Sequence, residues 1–149
     1  MMTNEEMCEL PAFRVSDEEA RGVMSRYNTI AVVGFSTNPE KPSHYVPKYL
    51  IDHGYTVIPV NPTAKGEILG QKVYAGLKEI PQKIEIVDIF RPPKDVPSIV
   101  EDAIAIGAKV VWMQEGIVNN AAAERAKAAG LTVIMDKCMM KVHRSTVSR

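Results

Sequence analysis

Short apolar runs rich in β-branched residues alternate along this chain with segments whose apolar positions recur every three or four residues. The runs at 30–35, 56–60, 84–90, 109–113 and 132–135 predict buried strands. Between them, Val46, Tyr49, Leu50 and His53 share one face of a helix that Ser43 can cap and Gly54 can end. A second helix starts near Val96, presents Ile99, Val100, Ala103 and Ile104, and stops at Gly107. A third covers 121–129, capped by Asn119 or Asn120 and ended by Gly130. Ahead of the first strand, Ser16 with Asp17, Glu18 and Glu19 forms the start signal of a short helix reaching about Arg26. Residues 61–70 read as a loop, 72–74 as a short strand and 75–80 as a helical turn closed by Pro81. Residues 1–15 read as an irregular N-terminus, and 137–149 as a tail with at most a turn of helix.

Five main strands alternating with helices imply parallel pairing through right-handed crossovers. The expected fold is α/β, a Rossmann-like open, mostly parallel five-stranded sheet in the order 3-2-1-4-5 with helices on both faces. Residues 1–149 are expected to form a single domain. Ligands of such sheets lie beyond the C-terminal ends of the strands, near the point where the order reverses. The residues that follow each strand therefore matter most.

Composition narrows the partners. Eighteen basic and eighteen acidic residues cancel, which removes the electrostatic case for a nucleic acid or a membrane surface. Lys137, Lys141, Arg144 and Arg149 form the one basic run, read as a solvated face. The N-terminus has early acids and no long apolar stretch, so neither a signal peptide nor a membrane span is expected. Two cysteines, Cys8 and Cys138, make no disulfide framework and no Cys-x-x-Cys pair, which fits a reducing, cytoplasmic setting.

The first strand runs into Gly34-Phe35-Ser36-Thr37. A glycine there lets a ligand approach the backbone, and amides and hydroxyls beside it suit phosphate oxygens. The second and third glycines of a dinucleotide fingerprint are missing, and so is the Gly-Lys-Ser/Thr of a Walker loop. The second strand ends in Asn61-Pro62, with Lys65 shortly after, where an NAD site places a carboxylate for the ribose hydroxyls. A neutral turn with a nearby lysine tolerates a phosphorylated ribose, so NADP or a 3′-phosphorylated adenosine fits better than NAD. Phe90, Arg91 and Pro92 offer a ring, a charge and a rigid rim, and Gln114, Glu115 and Gly116 follow the next strand.

Catalytic constellations are poor. Ser36 lacks an evident base, and His44, His53 and His143 lack metal-ligand spacing. His53 is read as a packed histidine, Trp112 as core with pocket lining as the alternative, and Asp88 as a buried acid that needs a partner. Cys138 beside Lys137 is a candidate reactive thiol, a packed or idle one being the plainer reading.

The ordered set Val33-Gly34-Phe35-Ser36, Tyr55-x-Val57-x-Pro59-Val60-Asn61-Pro62, Val87-Asp88-x-Phe90-Arg91, Gly107-Ala108-Lys109-x-Val111-Trp112-x-Gln114-x-Gly116 and Asp136-Lys137-Cys138-Met139-Met140 resembles the stand-alone CoA-binding domain proteins of bacteria and archaea, the YccU-like group. The likeness runs from about Ser16 to His143. It implies kinship with the CoA-binding domain of the succinyl-CoA synthetase α subunit. By that resemblance Gly34, Phe35 and Ser36 meet the CoA phosphates. Asn61, Pro62, Lys65, Phe90, Arg91 and Pro92 flank nucleotide and pantetheine, and Gln114, Glu115 and Gly116 approach the adenine. The synthetase's ligase domain is not expected in these 149 residues. The expectation is non-catalytic binding of coenzyme A or acyl-CoA, with no metal and with the protein partner unknown. An NADP-linked reductase or small acyl transferase is one alternative, and a CoA-binding subunit or interaction module of a larger ligase is another.

Overall fold

The computed structural model describes residues 9–147, with the side chains of 146 and 147 left aside. Cys8 and Arg149 lie outside the described residues. After an irregular stretch, α1 (Asp17–Arg26) opens where Ser16 Oγ accepts the Glu19 amide at 3.1 Å. Then follow β1 (Thr29–Val33), α2 (Pro42–Asp52) and β2 (Thr56–Val60). A small antiparallel hairpin of β3 (Glu67–Ile68) and β4 (Gln71–Lys72) precedes β5 (Ile86–Ile89), α3 (Val96–Ala105), β6 (Val110–Met113), α4 (Asn120–Ala128), β7 (Thr132–Ile134) and α5 (Met139–Val147).

The five long strands form an open parallel sheet in the order β2-β1-β5-β6-β7. The class is the expected Rossmann-like α/β sheet. The order differs from 3-2-1-4-5: counted among the five long strands it is 2-1-3-4-5. The cause lies in residues 61–81, which hold three glycines and a hairpin and supply no full strand. Outside β2 that segment contributes one isolated parallel bridge, Val60 to Tyr74. The next long strand, β5, crosses to the free side of β1. The reversal point thus falls between β1 and β5, and the ligand rule for open sheets applies there unchanged.

Alternating side chains along each strand feed two cores. Ala31, Val33, Val87, Ile89, Val111 and Met113 point to α3 and α4, where Val100, Ala103, Ala122 and Ala126 meet them. Ile30, Val32, Ile86, Val110 and Trp112 point the other way, to α1, α2 and α5. Burial of each such large side chain contributes about 1.5–3 kcal/mol, so both faces are held by the same force. The expected C-terminal tail is a nine-residue helix, α5. Met139 and Val142, three positions apart, enter the second core and fix the helix against α1 and α2. None of the described helices is long and apolar enough to cross a membrane.

Candidate ligand-binding site

The strand β1 stops one residue before Gly34, whose φ is +93°. A Cβ on Gly34 would stand 2.7 Å from the Phe90 carbonyl oxygen and 3.1 Å from Arg91 Cδ. Both the backbone twist and the close approach of the β5 exit require glycine here. The Gly34 amide donates to Val60 O at 2.9 Å, and the Phe90 amide donates to Val33 O at 2.9 Å. The three strand exits are thereby drawn together at the reversal point.

Asn61 ties two of these exits. Its Nδ2 donates to Phe35 O at 2.9 Å, while its Oδ1 accepts from Thr63 N at 2.9 Å and Thr63 Oγ1 at 2.8 Å. The side chain is spent on shaping the crevice. Ser36 does similar work: its amide donates to Ser43 O at 3.0 Å and its Oγ accepts from Asn38 N at 3.0 Å. His44 Nδ1 donates to Ser36 O at 2.6 Å, which assigns the proton to Nδ1 and pins the loop to α2.

A cavity of about 610 Å³ opens above these exits, toward α3. Gly34, Ser36, Thr37, Asn61, Pro62, Phe90 and Arg91 line it, so seven of the candidate residues converge. Lys41, Thr63, Asp95 and Ser98 line it as well, and sequence reasoning missed them. Lys41 directly precedes the proline that starts α2, and a cation at that point of the loop after a Gly turn was the available signal. Arg91 is already engaged, its guanidinium donating to Asp95 Oδ2 at 2.8 Å on the rim. Pro42 carries no N–H, so Ser43 is the first residue of α2 able to offer an amide to an anion.

A second cavity of about 310 Å³ lies on the other side of the same crest, toward α2 and α5. Lys41, Ser43 and Phe90 border both cavities, the two arms of a crevice divided by that crest. Gln114 and Glu115 fall in the second arm, with Tyr45, Cys138, Met140 and Lys141.

The remaining candidates sit elsewhere. Phe35 is fully buried, edge-on to the His44 ring at 5.8 Å, so its side chain is core and only its backbone faces the loop. Lys65 and Pro92 are exposed and line neither arm, and Gly116 donates its amide to Asp136 Oδ1 at 2.8 Å. Trp112 is core, its Nε1 donating to Lys137 O at 2.8 Å. His53 is exposed rather than packed on an apolar face, stacked on Tyr49 with ring centres 3.9 Å apart. Two lysines of the basic run are paired: Lys137 Nζ reaches Asp17 Oδ1 at 2.8 Å, and Lys141 Nζ reaches both Glu115 oxygens at 2.9 Å.

Asp88 is the unusual polar group. It is fully buried between Val32 and Trp112 of the neighbouring strands. Its Oδ1 accepts from Gln114 Nε2 at 2.6 Å, and Oδ2 has no hydrogen-bond partner among the described residues. Burial pushes its carboxyl up to about 8, the Gln114 hydrogen bond opposing the shift. Gln114 Oε1 in turn accepts the Met139 amide at 3.3 Å, linking Asp88 to the start of α5. Among the described residues no group of three or more His, Cys, Asp or Glu could hold a metal ion.

A family model described as "CoA binding domain" matches residues 28–144. The chain belongs to the CoA binding domain family. Its match covers β1 through most of α5 and includes both arms of the crevice. Among relatives of this CoA binding domain, the Bacillus subtilis (strain 168) protein YneT is 43% identical over 131 residues, which are 88% of this chain and 96% of that one. The α subunit of an ADP-forming acetate–CoA ligase of Pyrococcus furiosus is 39% identical over 90 residues, 56% of this chain but 19% of the subunit. A solved structure of a hypothetical protein from Pyrococcus horikoshii OT3 superposes with a TM-score of 0.87 at 44% identity, over 93% of this chain and 97% of that one.

Proposed function

We propose that this CoA binding domain protein binds coenzyme A or an acyl-CoA in the two-armed crevice and performs no chemistry on the acyl group. The observation that carries the reading is the convergence on Gly34: a Cβ-free approach point, flanked by Ser36, Thr37, Lys41 and Arg91, at the mouth of a cavity large enough for a nucleotide. Coenzyme A supplies a pyrophosphate, a 3′-phosphate and a thiol-bearing arm. The phosphates are assigned to the Gly34–Thr37 turn, Lys41 and Arg91. The backbone at Gly34 permits contact, and the two cations offset charge. Phe90, shared by both arms, gives the ligand an apolar surface to cross. Asn61 supports the choice against NAD, since a neutral side chain consumed by its own turn stands where a ribose-binding carboxylate would be needed.

Calorimetric titration with CoA, dephospho-CoA, NADP and ATP tests the reading, alongside native mass spectrometry of freshly purified protein. CoA is expected to bind, and at a hundredfold excess over its Kd to stabilise the fold by about 2.7 kcal/mol. Stabilisation by NADP but not by CoA overturns the proposal. The match to a ligase subunit favours one second reading, a CoA-binding module working with a separate ligase polypeptide. Co-purification with a ligase-domain protein would support it. Localisation in the cytoplasm belongs to the same proposal.

A further inference from the structure

The first helix carries two charges that the fold leaves unmatched. α1 turns Glu19, Gly22, Val23 and Arg26 to one side, at the spacing of a single helical face. That face borders a groove of about 490 Å³ lined on its other side by β7 and by Lys127 of α4, at the edge of the sheet. Four charged side chains line the groove. Two are engaged within the chain: Arg14 reaches Asp136 at 3.3 Å, and Lys127 Nζ stands 3.3 Å from the centre of the Phe13 ring. Glu19 and Arg26 are both exposed, and among the described residues neither has an ion-pair partner; Arg26 rests over its neighbour Tyr27 at 6.0 Å. They stand seven residues apart, about 10.5 Å along the helix, too far to pair with each other.

Two further observations mark this side of the molecule. β7 is the open edge of the sheet. The opposite edge, β2, is covered by Tyr74, which donates its amide to Pro59 O at 3.0 Å and accepts the Asn61 amide at 2.9 Å. Among the described residues no backbone hydrogen bond covers the outer side of β7. Gly22 sits inside the helix, where glycine is unfavourable relative to alanine, yet a Cβ there would meet no atom within 4 Å. Nothing within the chain requires that glycine, whereas the close approach of a second helix backbone would.

We propose that this face is a homodimer contact, in which two copies of α1 pack antiparallel across a two-fold axis at Gly22 and Val23. The midpoint between Glu19 and Arg26 falls between those two residues, so the axis sets Glu19 against the partner's Arg26 and Arg26 against the partner's Glu19. A two-fold contact must be complementary to itself. One acid and one base placed evenly about the axis satisfy that condition, whereas a partner of single-sign charge would set a like charge against one of them. The groove shares no lining residue with either arm of the crevice, so the inference stands independently of the ligand reading.

Sedimentation velocity of the full chain across a wide concentration range tests the contact. A monomer–dimer equilibrium that shifts toward monomer with added salt is expected. By symmetry, Glu19→Arg places two pairs of like positive charges in the contact, and Arg26→Glu two pairs of like negative charges. Each is expected to weaken dimerisation roughly tenfold or more, and the double variant, with the charges exchanged, to recover the parent's dimerisation. Both positions are exposed, so the variants should keep the parent's circular dichroism. In a chain carrying Cys8→Ser and Cys138→Ser, Gly22→Cys is expected to form an intermolecular disulfide on oxidation. A chain that stays monomeric at every concentration overturns the proposal and leaves the groove to a different partner. A dimer indifferent to the single charge reversals, one that the exchanged pair fails to restore, or one that does not cross-link at Gly22→Cys overturns it as well.

Discussion

Gly34 and Phe90 are packed so closely that a single added carbon on Gly34 would lie 2.7 Å from the Phe90 carbonyl oxygen. That contact joins the exits of β1 and β5 at the point where the sheet order reverses. Gly34→Ala must move a backbone carbonyl and hold alanine at a φ of +93°. A loss of about 1–3 kcal/mol in urea unfolding is expected, together with loss of the CoA-induced rise in Tm. Unchanged stability and unchanged CoA binding would show that the approach is not constrained.

Arg91 tests the phosphate assignment. Its pairing with Asp95 is half exposed, so Arg91→Ala should cost the fold about 0–1 kcal/mol. The effect on ligand should be larger, about 1.5–3 kcal/mol, or roughly ten- to a hundredfold in Kd. If Arg91 reads the 3′-phosphate, CoA weakens and dephospho-CoA does not. Equal losses for the two ligands move Arg91 to the pyrophosphate.

Asp88 and His143 pull the pH dependence in opposite directions. Asp88 is raised in the fold to about 8 from 3.8, so the native state holds its proton over that window and the unfolded chain does not. Its contribution is fully present below 3.8 and is lost as pH rises through about 8, at up to about 1.4 kcal/mol per pH unit. His143 is lowered from 6.5, chiefly by burial and then by the neighbouring His53. Its contribution is present above 6.5 and is lost as pH falls through the folded value. Asp88→Asn keeps an acceptor for Gln114 and removes the titration. The variant is expected to be more stable than the parent at pH 8 and to have its stability maximum at higher pH, read from urea midpoints across pH 4–9. A parent curve flat above pH 6.5 would contradict a buried, proton-holding Asp88.

Met139 tests whether the last helix belongs to the core. Its side chain is fully buried and its amide reaches Gln114. Met139→Ala is expected to cost about 2–5 kcal/mol. A loss near zero would mean that α5 contributes no core.

Much of the site was legible because strand exits are local features. Gly34, Asn61 and Phe90 follow runs whose apolar character marks them as strands, and those ends meet at one sheet edge. The roles of the side chains were less legible. Asn61 was read as a ligand contact; it lines the cavity, and its polar atoms also brace the turn. Phe35 was placed in the phosphate loop by resemblance; its side chain is core, since the chain turns at Gly34 and carries the next side chain inward. Lys41 went unnoticed because its place on the crevice depends on where α2 begins relative to the β1 exit, a distance no local pattern encodes.

By itself, the sequence determined the succession of strands and helices, the glycine at the first strand exit and the missing ribose carboxylate. These rest on periodicity and on single-residue backbone chemistry, which act over a few neighbours. Only the tertiary structure decided that β5 lies beside β1 rather than beyond β2, that residues 139–147 pack as a helix, and that Arg91, Lys137 and Lys141 are already paired. Each of those depends on which distant surfaces meet, and burial and charge pairing are properties of that meeting.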